Sequence, residues 1–97
     1  MKKEFPFIIL NDKNSATPLY RQIYEAVRTA ILNGEISANT RLPSSRDLAV
    51  QLGVSRITVI NAYDQLFAEG YLEGKTGSGT FVASRLPDDL LQTTKLK

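Results

Sequence analysis

The chain has 97 residues, of which 42% are hydrophobic, and this size suits one small globular domain with a single core and flexible ends. It contains no cysteine and no histidine, which excludes disulfides, thiolate chemistry, the usual zinc ligands and a histidine general base. Its net charge of +2 is a weak electrostatic signature for a protein that binds nucleic acid, so charge alone assigns no partner.

The sequence also limits where the protein can be located and which reactions it could catalyse. No apolar run approaches the ~18 residues of a membrane span. The start of the chain lacks a signal-peptide pattern, because Glu4 follows two lysines and Pro6 interrupts the short apolar run. We therefore expect a cytoplasmic protein without a membrane partner. Carboxylates such as Asp88 and Asp89 have no visible catalytic partners, so we expect no enzyme and no metal site.

Residues 1–16 are predicted to form an N-terminal extended arm. Phe5 to Leu10 are rich in strand-forming residues, and Pro6 limits them to an edge strand or a docked segment. Both sides of this segment are apolar in an extended conformation. We therefore expect the arm to dock on its own domain or on a second copy of the chain.

The first helix is predicted from Pro18, at its first position, to about Asn33, with Gly34 at its end and Thr17 or Asn14 as its cap. Apolar residues recur at intervals of three and four and form one stripe: Leu19, Ile23, Ala26, Val27, Ala30 and Ile31. Three residues lie partly off this stripe, where phosphate, another copy, solvent or the edge of the core are alternatives: Tyr20, Tyr24 and Arg28.

Two more helices are predicted from their capping residues. Ser44 can accept the amide of Asp47 while the Asp47 carboxylate reaches back, a capping box that starts the second helix near Ser45. Gly53 supplies the left-handed conformation that ends a helix, and Ser55 is a good cap for the next. Only a tight turn fits between these helices.

The third helix is predicted from Arg56 to about Ala68, and it stops at Gly70. Its buried face is expected to consist of Val59, Ala62, Tyr63, Leu66 and Phe67. Its opposite face carries Ile57, Ile60, Asn61 and Asp64. Two isoleucines on a solvent face need a reason, and thymine methyl groups in the major groove of DNA are one.

Three short strands complete the predicted elements. Arg41 and Leu42 form the first, Tyr71 to Glu73 the second and Thr80 to Val82 the third, with a hairpin turn at 77–79. The glycines of this turn lie between strands with no helix following, so they do not indicate a nucleotide-phosphate loop. The order of elements is that of a helix-turn-helix followed by a β-hairpin wing.

The predicted fold is mainly α with a small antiparallel sheet, a winged helix-turn-helix with a three-helix core and a β-hairpin wing. It spans residues 17–83, and residues 84–97 are a polar linker or tail. The expected core consists of Ile23, Val27, Ile31, Leu48, Leu52, Val59, Tyr63, Leu66 and Phe81.

Seven segments occur in a recognisable order between residues 18 and 82, namely PLYRQI, LPSSRDLA, LGVSR, TV, AY, AEGYL and GSGTFV. This region closely resembles the N-terminal winged helix-turn-helix domain of GntR-type bacterial transcription regulators. In its Ser-Ser-Arg, Ala62-Tyr63 and GSGTF segments it is most similar to the MocR subfamily, whose members carry a further aminotransferase-like domain that binds pyridoxal phosphate. The resemblance implies a regulator that binds a double-stranded DNA operator. It also implies no cofactor in this chain, with pyridoxal phosphate only in a further C-terminal domain.

The resemblance further implies which residues contact DNA. Arg46, in the Pro-Ser-x-Arg element, would contact phosphate, and Ser55, Arg56 and Thr58 would start the recognition helix. The glycine-rich wing, residues 76–79, would lie against the minor groove, where glycines allow close backbone approach. The predicted DNA-binding set is Ser45, Arg46, Ser55, Arg56, Ile57, Thr58, Ile60, Asn61, Lys75, Thr76, Gly77, Ser78 and Gly79.

Some positions depart from the family pattern. Ile57 and Ile60 replace residues that are frequently polar or basic, which favours contacts with A·T pairs. Asn39 replaces a frequent turn glycine, and asparagine adopts the left-handed conformation more readily than most residues.

Other interpretations stay open at this point. Arg46 and Arg56 could be ordinary solvated arginines or form ion pairs within the helices, for instance Arg46 with Asp47 or Glu69. The charges from Arg41 to Gly79 sum to zero, which suits a winged helix used for protein interaction or dimerisation. The chain could also be the N-terminal segment of a pyridoxal-phosphate-binding, aminotransferase-like regulator with no activity of its own. Because one copy with so few net cations should bind DNA weakly, we expect a homodimer.

Overall fold

Three helices and three short strands make up the part of the chain that the computed structural model describes, residues 16–75, 77 and 79–85. The elements are α1 (Leu19–Leu32), β1 (Arg41–Leu42), α2 (Ser45–Leu52), α3 (Arg56–Ala68), β2 (Leu72–Lys75) and β3 (Gly79–Val82). The sheet is antiparallel, so the predicted architecture is confirmed. The predicted arm and almost all of the tail lie outside the described residues.

The ends of α2 and α3 follow from their capping residues. Ser44 Oγ accepts the amide of Asp47 at 3.0 Å, and Ser55 Oγ accepts the amide of Thr58 at 3.3 Å. Each serine thus satisfies a donor that the following helix leaves free. Gly53 ends α2 with a φ of 71°, in the left-handed region that favours glycine. The predicted tight turn between the two helices is confirmed.

The start of α1 differs from the prediction. Pro18 lies immediately before the helix rather than at its first position, because its ψ of 152° is extended. Its carbonyl accepts the amides of Arg21 and Gln22, each at 3.1 Å. Thr17 is therefore not the cap, and its backbone carbonyl instead accepts Gln22 Nε2 at 2.8 Å. Asn14 lies outside the described residues.

The core lies where α3 packs against α1 and α2. Its largest fully buried side chains are Ile23, Val27, Leu48, Val59, Leu66 and Val82. The predicted core residues Ile31 and Tyr63 are also buried. Leu52 is only half-buried, which corrects the prediction. It is the last residue of α2, and the chain turns at Gly53 directly after it.

The register of the sheet decides which side of β3 faces the helices. The strand order is β1-β3-β2, Leu72 pairs with Val82, and Glu73 pairs with Phe81. Because successive side chains of a strand point to opposite faces, the buried Leu72 and Val82 place Phe81 on the outer face. There its ring centroid lies 4.8 Å from Lys75 Nζ. The prediction that Phe81 belongs to the core was wrong, and Val82 takes that position.

A polar network joins α1 to the end of α3. The Tyr24 hydroxyl donates to Glu69 Oε1 at 2.5 Å, and Gln65 Nε2 donates to Glu69 Oε2 at 2.7 Å. Burial and the adjacent carboxylate raise the pKa of Tyr24 to about 12. The hydrogen bonds from Tyr24 and Gln65 hold the pKa of Glu69 below its usual value. Arg28 Nε donates to the Tyr71 hydroxyl at 3.2 Å, so Tyr24 and Arg28 pack at the edge of the core.

Replacing Leu66 by alanine should lower the free energy of unfolding by about 2 to 5 kcal/mol, because a truncated buried leucine leaves a cavity. The control is Val50→Ala on α2, where the side chain is 76% exposed. That change should alter stability by less than about 0.5 kcal/mol. Urea unfolding followed by circular dichroism measures both variants. A similarly small loss for Leu66→Ala would contradict the register of α3.

The Tyr24 to Glu69 hydrogen bond should make stability depend on pH. Because folding lowers the pKa of Glu69, the bond stabilises the fold above the pKa of the unfolded glutamate and is lost as pH falls through the folded value. Tyr24→Phe should lower the free energy of unfolding at neutral pH by about 1 kcal/mol. Below about pH 4 the difference from the unmodified chain should shrink.

The control for this change is Tyr20→Phe, since Tyr20 is 37% exposed and its hydroxyl bonds to no carboxylate among the described residues. Denaturant unfolding of the three proteins across the acidic range provides the measurement. A difference between Tyr24→Phe and the unmodified chain that stays constant with pH would contradict the assignment to Glu69.

Candidate nucleic-acid interface

The outer face of α3 is the part of this helix that the other elements leave uncovered. Ile57 is 59% exposed in the first turn, Asn61 and Asp64 are exposed further along, and Ile60 is half-buried. These are the residues predicted for this face. Phe67, predicted for the buried face, is 38% exposed and lies at the edge between the two faces.

Arg56 and Ser45 meet where α3 begins beside α2. Arg56 Nε donates to Ser45 Oγ at 3.2 Å, and both residues lie at the surface. In the described part of the chain, this bond engages only Nε of the guanidinium group. Its two terminal amino groups are therefore available to a ligand. Both residues belong to the predicted DNA-binding set, but the sequence does not reveal that they bind each other.

Ser55 and Thr58 use their side chains to start α3. Ser55 Oγ lies 2.8 Å from Thr58 Oγ1 and also accepts the Thr58 amide. The cap therefore fixes the orientation of both hydroxyl groups. They lie at the N-terminal end of the helix, where unpaired amides and the positive end of the helix dipole favour anions.

Arg46 lies exposed on α2. The ion pair found among the described residues joins Arg21 to Glu25 on α1, and Arg46 pairs with neither Asp47 nor Glu69. Glu69 instead accepts the hydrogen bonds from Tyr24 and Gln65. Neither ion pair considered for Arg46 is therefore formed, and the alternative of an ordinary solvated arginine stays open.

The wing is the turn between β2 and β3. Gly77 has a φ of 76° and Gly79 a φ of 114°, values that favour glycine over residues with a Cβ. Lys75 lies exposed at the base of the wing, with its ammonium group over the Phe81 ring. The predicted contacts Thr76 and Ser78 lie outside the described residues.

A cleft of about 300 Å³ separates α3 from the base of the wing. Residues of β1, α2, α3 and β3 line it, among them Arg41, Ser45, Ile60, Asp64 and Gly79. A Cβ at Gly79 would lie 3.1 Å from Arg41 Nε, so the guanidinium group packs closely over this glycine. In the sequence, Arg41 is predicted only as part of a strand. Its closeness to the wing comes from the pairing of β1 with β3, which no local pattern reveals.

The described residues offer little for metal or cofactor binding. No group of three histidine, cysteine or acidic residues among them could hold a metal ion. Lys75 is the one lysine among the described residues. It is exposed, which does not fit a buried lysine that binds pyridoxal phosphate. None of the helices described is long and apolar enough to cross a membrane.

The family model described as "Bacterial regulatory proteins, gntR family" matches residues 19–82, from α1 to the end of β3. The chain belongs to this family. The match covers the same region as the resemblance predicted from the sequence motifs, which is thereby confirmed. The elements described above are thus the helix-turn-helix and wing of a GntR domain.

Two relatives show how much of a regulator this domain represents. The probable rhizopine catabolism regulatory protein MocR of Rhizobium meliloti is 52% identical over 81 residues, which cover 84% of this chain and 16% of that protein. The transcriptional repressor NagR of Bacillus subtilis is 43% identical over 81 residues, which cover 84% of this chain and 33% of that protein. The chain thus spans about one sixth to one third of the length of these relatives.

Solved structures confirm the fold. The GntR-family transcription factor YtrA from Sulfolobus acidocaldarius matches with a TM-score of 0.75 and 35% identity, over 92% of this chain and 94% of that one. The DNA-binding domain of AraR in complex with operator ORX1 matches with a TM-score of 0.68 and 34% identity, over 77% and 93% of the two chains. This chain is a GntR-family DNA-binding domain.

Proposed function

We propose that this GntR domain recognises a specific double-stranded DNA operator with the first turns of α3 and so directs a bacterial transcription regulator to its site. The observation that carries the proposal is the hydrogen bond from Arg56 to Ser45, which holds an exposed arginine next to the exposed Ile57. The operator complex of the similar AraR domain supports this use of the fold.

Arg56 is the proposed guanine reader. With Nε bound to Ser45, the two terminal amino groups can donate to O6 and N7 of one guanine in the major groove. This pair of acceptors is specific to guanine, so the contact discriminates between base pairs. Ser45 is a positioning residue in this scheme, because it restricts the rotamers of the long arginine side chain before DNA arrives.

The outer face of α3 supplies the remaining base contacts. Ile57 presents an exposed apolar side chain, which suits the methyl group of thymine. Asn61 lies four positions further on the same face, where its amide can donate to N7 and accept from N6 of adenine. Ile60 is half-buried and lines the cleft, so it contacts DNA only at its edge.

Phosphate contacts position the domain and carry no direct sequence information. We assign them to the exposed Arg46 and to the hydroxyl groups of Ser55 and Thr58 at the start of α3. Lys75 and the wing, residues 76–79, lie against the minor groove in this arrangement. The positive-φ glycines of the wing support close backbone approach there.

In this proposal, the residues of this chain perform no catalysis and hold no cofactor. The names of the relatives MocR and NagR describe regulators rather than enzymes, which supports this assignment. A pyridoxal phosphate in the whole protein would be held by a further domain. Operator binding also implies a cytoplasmic location, where bacterial DNA lies.

We also propose that the working regulator is a homodimer. From Arg41 to Gly79 four cationic residues are balanced by four acidic residues, so one copy offers DNA little net charge. Two linked copies on paired half-sites bind more tightly, because the second contact is effectively intramolecular. The apolar arm, which lies outside the described residues, is the proposed contact between copies.

Arg56→Ala should relax the base preference at one operator position by about 1 to 3 kcal/mol, because a bidentate guanine contact is lost. Ser45→Ala should weaken the same preference by a smaller amount, because Arg56 keeps its charge but loses the hydrogen bond that orients its side chain. Arg46→Ala should weaken binding to all sequences alike. Gel shifts on an operator enriched from a randomised duplex library, and on its single-base variants, measure these effects.

An unchanged ranking of the variants by Arg56→Ala would contradict the proposed reading mechanism. Binding that does not weaken with salt would instead favour a protein-interaction module, because DNA binding releases counterions and an apolar protein interface does not. Circular dichroism of each variant shows whether the fold is intact.

Deleting Met1 to Leu10 should convert the dimer into a monomer and weaken binding to paired half-sites. The reason is that the deletion removes the apolar arm and leaves the GntR domain intact. Sedimentation measures the mass, and circular dichroism checks the fold of the shortened chain. An unchanged oligomeric state, whether monomer or dimer, would rule out pairing through the arm.

A further inference from the structure

The cleft between α3 and the wing contains an arginine that the proposed reading mechanism does not use. We propose that Arg41 binds a phosphate of the DNA strand that crosses this cleft, and that Gly79 is the platform that holds Arg41 in place. The inference rests on the proposed function, since it takes the DNA to be docked on α3 and the wing.

The pairing of β1 with β3 determines where Arg41 lies. Arg41 pairs with Phe81 of β3, and its side chain reaches Gly79, two residues earlier in that strand, beside the cleft that both residues line. A Cβ at Gly79 would lie 3.1 Å from Nε, 3.5 Å from Nη2 and 3.7 Å from Cζ of Arg41. A larger residue at this position would therefore push the guanidinium group away from the wing.

Arg41 is free to bind an anion. Within the described ranges it forms no ion pair and no hydrogen bond, although Asp64 lines the same cleft. Arg41 is also the one cation among the residues that line this cleft. Its exposed guanidinium group has the fork of donors that binds phosphate oxygens in pairs. Asp64 repels phosphate, so it should weaken the contact that Arg41 makes.

The geometry of the DNA duplex identifies the anion as a backbone phosphate. The major and minor grooves are separated by a sugar-phosphate strand, so a helix in one groove and a wing at the other have this strand between them. The cleft lies between α3 and the base of the wing. Arg41 should therefore add affinity and salt dependence without distinguishing one base pair from another.

The test compares Arg41→Ala with Arg21→Ala by fluorescence anisotropy on a labelled duplex of mixed sequence, in about 50 to 200 mM salt. Arg41→Ala should reduce the slope of log affinity against log salt by about 0.9. It should lower affinity about tenfold, the usual effect of losing one charge-assisted hydrogen bond. Arg21→Ala removes the same charge from α1, outside the cleft, and should leave the slope unchanged.

Two further variants test the platform. Gly79→Ala should reduce the slope by less than Arg41→Ala does, because the new Cβ shifts the guanidinium group by a few tenths of an ångström while its charge remains. Gly34→Ala introduces a Cβ at a φ of 82° with no atom within 4 Å, so it has similar backbone strain and should leave the slope unchanged. Asp64→Asn should strengthen binding. Melting temperatures show that each variant is folded.

A slope like that of the unmodified chain for Arg41→Ala would overturn the role of Arg41. If Arg56→Ala still changes base preference in the same series, the proposed function stands while this inference fails. Absence of salt-dependent binding by the unmodified chain would overturn both. An altered ranking of operator variants by Arg41→Ala would also contradict the inference, because a phosphate contact does not read bases.

Discussion

The burial of one face of α3 is the constraint on which the rest of the structure depends. Val59 and Leu66 are fully buried where α3 packs against α1 and α2, and each such side chain contributes about 1.5 to 3 kcal/mol relative to an exposed position. Since a helix has a fixed period, burying this face turns Ile57 and Asn61 outward. The stability of the domain and the direction of its proposed reading surface therefore have the same cause.

Contacts between residues distant in sequence assemble the rest of the interface. The buried Tyr63 donates its hydroxyl to the Pro43 carbonyl at 2.7 Å, and burial raises the pKa of this phenol. This bond ties the link between β1 and α2 to the middle of α3. The pairing of β1 with β3 then joins that link to the wing. In this way Arg41 of β1 and Ser45 of α2 line one cleft, and Arg56 of α3 is bonded to Ser45.

Features with a local cause could be predicted from the sequence, and features set by tertiary pairing could not. Gly53 ends α2 and Ser55 caps α3, and the residue types alone predict both roles. Asn39 adopts the expected left-handed conformation with a φ of 69°. The prediction that Phe81 rather than Val82 is buried was wrong because the two are adjacent apolar residues, and only the pairing of β3 with β2 decides which side chain faces the core.

The Arg56 to Ser45 bond and the Arg41 platform also escaped prediction, because each joins residues from separate elements. The central claim is that DNA docks on the start of α3 and the wing. The most direct measurement is an NMR titration of the isotope-labelled chain with its enriched operator duplex. The account predicts shifted amide signals at 45–46, 55–61 and 75–79, with α1 unaffected. Shifts concentrated on α1, with the start of α3 unchanged, would contradict it.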